Sequence, residues 1–493
     1  MSCSRFGRLG LQCLSLIVHT SEVHPQVTFD VDTNFRTGID RVYVSSALPL
    51  ADGTVILSGQ MRVPGFPTEK RTIKLDALGA LDPSFNASSL GSGKLTAWNN
   101  DRTYVASITA VRRLLPDGQQ DPDFIEMNSG PYFSSLQGGD YHVFPDGRVL
   151  MSGAHILSDT QRGFEGLYNL IWFSSQGYLD TTRIHRYCDE VIFAIEAQSD
   201  GKFLCSGTMH SYEDQPVQCI FRVQPDGALD TEFNADLQWG EAVAFATLDD
   251  GKILAGGSFK QIGSEDTLSL VRLMPDGVLD PTFELLYFKK SYRPDALYLV
   301  SGIMPMADGR MVVTGGFDRI NGEVRGCVAI LDANGHLLND AFTGNGCDTI
   351  LTENGITKSV RGITAAPDGS FYIYGGYHGY DDGTTNDTTQ QMVSRLYGLG
   401  VGVQEHSNTM STLNIYPNPA GNWVTLNVAL VYEPTDAALI VQDLAGRTVQ
   451  RIRVGSVIQT LLLDTRAFAP GAYTVQLMDK DTILSTQKLV IRQ

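Results

Sequence analysis

The stretches RVQPDGALDTEF at 222–233 and LDDGKILAGGS at 248–258 decide the fold. In each, an apolar run leads into Asp-Gly and a second apolar run leads out. Asp tolerates the bridge or left-handed region and Gly takes positive φ at little cost, so each stretch reads as a tight β-hairpin. Working outward, the second pattern recurs as LADGTVILSGQ (50–60), FPDGRVLMSGA (144–154), QSDGKFLCSGT (198–208), MADGRMVVTGG (306–316) and APDGSFYIYGG (366–376). A degenerate copy, NNDRTYVAS, stands at 99–107. The first pattern interleaves with it as KLDALGALDPSF (74–85), RLLPDGQQDPDF (113–124), WFSSQGYLDTTR (172–183), RLMPDGVLDPTF (272–283) and ILDANGHLLNDAF (330–342).

Two hairpins recurring roughly every 50 residues predict four short antiparallel strands per repeat, the size of a propeller blade. Seven copies predict seven blades. FDVDTNF at 29–35 is a tail of the first pattern without its head, and MVSRLYGLG at 392–400 is a head without its tail. The N-terminal strand is therefore expected to complete the last blade, which removes the free edges of an open ring. The Leu-x-Pro-Asp-Gly-x-Leu-Asp-x-x-Phe tract with its Asp-Gly-Lys-Ile-Leu-x-Gly-Gly partner resembles the delta-60 repeat family of bacterial β-propellers. That resemblance implies the fold and assigns no activity.

The repeats stop near residue 400, and the polar 401–412 reads as a linker. Beyond it, alternating strands with turns at Pro417 to Pro419, Ala445-Gly446 and Pro470-Gly471 predict a small Ig-like β-sandwich over 413–493. Tyr416-Pro417-Asn418-Pro419, the Asp443-x-x-Gly446-Arg447 turn, Gly471-x-Tyr473 and a last strand holding Lys488 resemble the type A sorting domain of the type IX secretion system. The resemblance implies export to the cell surface or the medium, with that secretion machinery as a partner. The expected fold class is thus all-β: a seven-bladed β-propeller over 27–400 followed by the sandwich.

The 493 residues carry 37 Lys and Arg against 55 Asp and Glu, a formal charge of −18. Such a surface lacks the positive field that nucleic acid or anionic lipid requires. With 42% hydrophobic residues there is ample material for a core. No apolar run is long enough to span a bilayer. Arg5 and Arg8 followed by LGLQCLSLIV at 9–18 have the layout of a secretory signal within residues 1–26, interrupted by Gln12; a signal peptide and a buried N-terminal segment both stay open. The seven cysteines form no CxxC pair, which argues against structural zinc. Cys205 and Cys219, on neighbouring strands, are candidates for a bridge in an exported protein.

No nucleophile elbow, HExxH, phosphate loop or EF-hand loop occurs; GSGKLT at 91–96 lacks the first glycine of a phosphate loop and reads as a lead into a strand. Both hairpin turns of a blade fall on one rim and are uniform. The connections on the opposite rim vary, which is where binding evolves on a fixed scaffold. The candidate ligand rim comprises His155, His210, Tyr212, Tyr377, His378 and Tyr380, with Phe164 and Tyr168 as further stacking surface. Asp40, Asp140, Glu190, Glu241 and Asp295 precede the innermost strands, where they could crowd the channel mouth. No cofactor is expected, and the one metal with any claim is a divalent cation such as calcium, held by these carboxylates. The expected function is a secreted or surface binding and adhesion module, non-enzymatic and monomeric, for a protein or glycan. The alternative is a polysaccharide hydrolase or lyase at the propeller axis, which would need paired carboxyls.

Overall fold

The computed structural model describes residues 29–398, apart from 87, 100, 108, 126–132, 162, 294, 295, 298, 353 and 354, and residues 412–492, apart from 417, 419, 431–436, 444–446, 456, 457 and 481. Residues 1–26, where a signal peptide or a buried segment is expected, most of the linker and Asp295 lie outside the described residues. The chain divides into two compact units, 1–401 and 402–493. Every named element is a strand.

The Asp-Gly turns work as their chemistry predicts. Asp52, Asp146, Asp200, Asp250, Asp308 and Asp368 each accept the backbone N–H two residues on, at 3.0–3.1 Å. The glycine that follows sits at φ between 82° and 86°. In the degenerate copy Asp101 itself takes the left-handed position, at φ 57°.

Around these turns the first unit builds three-stranded antiparallel sheets in chain order. The first is Asp40–Pro49, Val55–Arg62 and Lys70–Leu75; the second Leu95–Trp98, Arg102–Ala106 and Val111–Leu114; the third Phe133–Val143, Val149–Asp159 and Phe164–Phe173. The fourth is Ile192–Ala197, Phe203–Gly207 and Ile220–Val223; the fifth Leu237–Thr247, Ile253–Gln261 and Leu268–Leu273; the sixth Val300–Pro305, Met311–Gly315 and Val328–Leu331. Ser359–Ala365, Phe371–Asp381 and Asn386–Tyr397 form the last, which Gly346–Asp348 and Asp30–Val31 extend to five strands. The expected fourth strand is mostly reduced to a single bridge across the second turn, such as Val223 with Leu229 or Leu273 with Leu279. The short outer segment leaves the ladder as soon as the turn has closed.

Each apolar core lies between consecutive sheets. Leu204 and Ile220 of the fourth pack with Ile253, Ala255 and Val271 of the fifth, and Leu254 and Leu270 of the fifth with Val300, Val313 and Ala329 of the sixth. Tyr372 and Val393 of the last sheet share a core with Val44, Leu57 and Ile73 of the first. The strand Asp30–Val31 pairs antiparallel with the last sheet, Asp30 opposite Tyr397 and Val31 opposite Leu396. On either side of it Phe29 and Phe35 are fully buried, edge-on to Phe342 at 5.0 Å and Tyr372 at 5.4 Å.

Polar staples join neighbouring sheets. Arg113, Arg222 and Arg272 each donate through Nε to an aspartate eight residues on, Asp121, Asp230 and Asp280, at 2.7–2.9 Å. Each guanidinium lies over the phenylalanine that ends the repeat, Phe124, Phe233 or Phe283, at 4.8–5.0 Å. Each then donates to a turn carbonyl of the following repeat: Ser175, Pro275 and Ala333. The Asp-x-x-Phe signature is thus part of a joint between sheets.

The described cysteines, 188, 205, 219, 327 and 347, are free thiols. The candidate Cys205 to Cys219 bridge does not form because the register sets Cys205 opposite Phe221, and the two thiols enter different cores.

The second unit has a sheet of Thr412–Tyr416, Trp423–Ala429 and Ile458–Asp464, and another ordered Thr448–Arg453, Ala437–Asp443, Gly471–Asp479, Thr482–Ile491. Both feed one core, including Leu413, Val424, Leu426, Leu439, Val475 and Leu489.

Candidate functional site

Antiparallel connectivity puts the Asp-Gly turns on one rim, here called the turn rim, and all remaining connections on the far rim. The far rim is elaborated: a hairpin of Ser211–Tyr212 with Gln215–Pro216, another of Ile350–Thr352 with Gly355–Thr357, and a small sheet of Phe288–Lys289, Arg319–Ile320 and Glu323–Val324. This small sheet borders a groove of about 770 Å³ lined by Leu285, Tyr287, Lys289 and Arg319. Tyr287 is 64% exposed and Leu285 42%.

The structure separates the sequence candidates. His210 and His378 are exposed on the far rim. His155, Tyr212, Tyr377 and Tyr380 are buried and present no surface to a ligand. Phe371–Asp381 and Val149–Asp159 run further than their apolar runs suggest, so residues read as loop continue as strand, and irregular register on both sides of His378 turns Tyr377 and Tyr380 inward. Tyr377 donates to Ser394 Oγ at 2.8 Å and Tyr212 to the Gly227 carbonyl at 2.7 Å. His155 lies between Ser135 Oγ and the Ser152 carbonyl, each at 3.0 Å, and burial lowers its pKa to about 4, against the smaller opposing pull of that carbonyl. Phe164 and Tyr168 are partly buried against the core shared by the second and third sheets.

Among the described residues the acidic candidates are not drawn together. Asp40 and Glu190 are exposed, and Glu241 is partly buried. Among the described residues no three His, Cys, Asp or Glu side chains are grouped as a metal set. Asp140 instead meets a lysine, Lys94, whose Nζ stands 3.2 Å from Oδ1 and 3.3 Å from Oδ2. This pair lies in an axial cavity of about 290 Å³, together with Ser45, Glu196 and Tyr374 and an apolar wall of Ile195, Val243 and Phe245. The Lys94 side chain keeps 45% of its surface accessible, yet it stands within this ring of strands, so its exposure is to the cavity. Burial pulls its pKa down, but Asp140 and then Glu196 outweigh that and hold it above the ordinary lysine value. Burial also raises Glu196 to about 7, partly countered by Lys94 and reinforced by Asp140. Sequence reasoning missed Lys94 and Glu196. The available signal was a lysine, within the dismissed GSGKLT, at the entry to an innermost strand where other repeats carry carboxylates.

A cavity of about 590 Å³ at the turn rim is lined by Asp250, Lys252, Arg272 and Arg310. Its cations are engaged: Lys252 and Arg272 with Asp280, Arg310 with Asp308.

In the second unit, Asn418 donates through Nδ2 to the Lys488 carbonyl at 2.6 Å and accepts from Val490 N–H at 2.8 Å, tying the start of the unit to its last strand. Tyr473 donates to the Ala469 carbonyl at 2.8 Å just before Gly471, which sits at φ 155°. Asp443 accepts twice from Arg447, at 3.0 and 2.7 Å. Tyr416 ends its strand; Pro417, Pro419 and Gly446 lie outside the described residues.

Residues 198–233, 248–283 and 307–337 match the family model of the domain of unknown function (DUF5122) beta-propeller. Residues 414–492 match the secretion system C-terminal sorting domain. The sorting domain indicates export by the type IX route, to the cell surface or the medium. No curated protein matches the chain. Among solved structures it is similar to the extracellular domain of a one-component system from B. thetaiotaomicron, at 10% identity and a TM-score of 0.36, covering 95% of this chain and 58% of that one. It is also similar to PorZ, a surface component of the type IX secretion system of Porphyromonas gingivalis, at 12% identity and a TM-score of 0.27, covering 93% and 75%. A gluconolactonase from Xanthomonas campestris matches at 15% identity and a TM-score of 0.32, covering 76% and 97%. The chain spans little more than half the length of the first of these. Among the described residues no helix is long and apolar enough to cross a membrane.

Proposed function

We propose that this chain, which carries DUF5122 β-propeller repeats and a type IX sorting domain, is a non-enzymatic binding and adhesion module whose far rim engages a protein or glycan outside the cell. The first unit is read as seven blades closed by the N-terminal strand, and the second as an Ig-like sandwich; the cores between successive sheets, including the one shared by last and first, support the ring. One observation carries the functional reading. Large apolar side chains are exposed mainly on the far rim, among them Leu136 (61%), Trp239 (46%), Tyr287 (64%), Leu351 (77%) and Ile356 (59%). The turn rim exposes Leu78, Tyr178 and Val278. Exposed aromatic and aliphatic groups beside polar ones are the composition of a contact surface, since aromatics supply area at low entropic cost. Glycan arrays and surface-protein pull-downs with the full chain test this. Trp239→Ser and Tyr287→Ser should weaken capture, and Leu78→Ser with Tyr178→Ser should not. Loss with the turn-rim pair alone would assign the opposite rim.

A further inference from the structure

The axial cavity shares no residue with the far-rim groove, and its wall has a chemistry of its own. Lys94 offers N–H donors, Asp140 and Glu196 offer carboxyl oxygens, and Ser45 offers a hydroxyl. Burial pushes the Tyr374 phenol up to about 12, so it too stays a neutral hydroxyl at physiological pH. Lys94 also donates to the Tyr141 carbonyl, 3.2 Å away, so with Asp140 taking another N–H, the third of its ammonium donors is left for the cavity. The Glu196 carboxyl interacts with Lys94 and Asp140 by charge only and has no hydrogen-bond partner among the described residues. A partly enclosed carboxyl without a hydrogen bond is a group that a ligand can satisfy.

The charges limit what can enter. A second cation would be repelled by Lys94, and an anion would face both Asp140 and Glu196. A neutral molecule with several hydroxyls meets donors and acceptors at once, and Ile195, Val243 and Phe245 offer an apolar face to its C–H groups. Small-molecule sites start at about 300 Å³. A cavity of about 290 Å³ therefore suits one ring rather than a chain.

We infer that the axial cavity binds a single neutral sugar ring, with Lys94 donating to one hydroxyl and Asp140 and Glu196 accepting from others. The test is saturation-transfer NMR on the full chain with D-glucose, D-galactose, D-mannose and N-acetyl-D-glucosamine at millimolar concentration, with D-galacturonate as the charged control. At least one neutral sugar should receive saturation on its ring protons, and galacturonate should bind at least several-fold more weakly. Glu196→Leu, close in volume and without hydrogen-bonding atoms, should weaken the signal at least tenfold, and Lys94→Met should do the same. A retained melting temperature shows that a lost signal is not unfolding. Tyr287→Ser, on the far rim, should leave the signal unchanged. No saturation from any of the four neutral sugars, an unchanged signal in both cavity variants, or a signal lost with Tyr287→Ser alone would overturn the assignment.

Discussion

Arg222 and Asp230 form a buried pair, Nε to Oδ2 at 2.7 Å, and the same guanidinium reaches the Pro275 carbonyl of the next repeat at 2.8 Å. Lys202 adds a second cation to Asp230 at 2.9 Å. One residue thus fixes its own turn and the neighbouring sheet. Removing one partner of a buried pair costs about 3–5 kcal/mol. Arg222→Ala should destabilise the first unit by that order in denaturant melts. Arg222→Lys should recover only part, because it keeps the charge and loses the fork.

Acid should loosen the staples together. Asp121, Asp230 and Asp280 lie below the ordinary carboxylate value of 3.8: burial acts against this, but bonds from Arg113 and Asp123, from Lys202 and Arg222, and from Thr282 and Lys252 prevail. A depressed native pKa gives stability that is complete above the unfolded value and lost as pH falls through the native one. Melting temperature should therefore fall steeply below about pH 4. Asp121→Asn, Asp230→Asn and Asp280→Asn combined should be less stable at pH 7 and flatter in acid.

Glu196 should act in the opposite direction. Its native pKa of about 7 exceeds the ordinary 4.5, so the folded protein holds a proton that the unfolded chain has released. Stability from this group, whose charged form faces Lys94 and Asp140, should decline as pH rises between those two values. Glu196→Gln should remove that slope, which melts from pH 4 to 8 would reveal.

Tyr377 belongs to the core. Tyr377→Phe should cost about 1 kcal/mol through the lost bond to Ser394, and Tyr377→Ala about 3–5 kcal/mol through the cavity it leaves. Neither should change ligand capture once folding is allowed for. Capture lost with Tyr377→Phe at full stability would return this tyrosine to the binding rim.

A chain cut after Met410 should keep the first unit folded and fail to reach the cell surface, since the matched sorting domain begins at 414. Surface proteolysis of intact cells would show the difference. Normal delivery of the cut chain would refute the role given to residues 414–492.

The turns were legible because Asp52, Asp250 and their counterparts, with the glycines behind them, carry their geometry locally. The closing strand was legible because FDVDTNF lacks its own head. Which way Tyr377, Tyr380 and His155 point was not legible. Side chains alternate along a strand, and one irregularity in register reverses the alternation. The axial pair was hidden for another reason: Lys94 and Asp140 are 46 residues apart, and only the packing of the second sheet on the third brings them together.

The pairing of Val31 with Leu396 has a consequence in time. Asp32 meets the hydroxyl of Tyr397 across 365 residues of chain. At about 5–20 residues per second, synthesis takes roughly 20–70 s to supply that partner. Through this interval the strand Asp30–Val31 has no ladder to join, so the earliest part of the propeller to leave the ribosome is the last to be paired. A nascent chain of this design cannot pair its first strand until Leu396 and Tyr397 have been made, so closure waits on nearly the whole of the first unit.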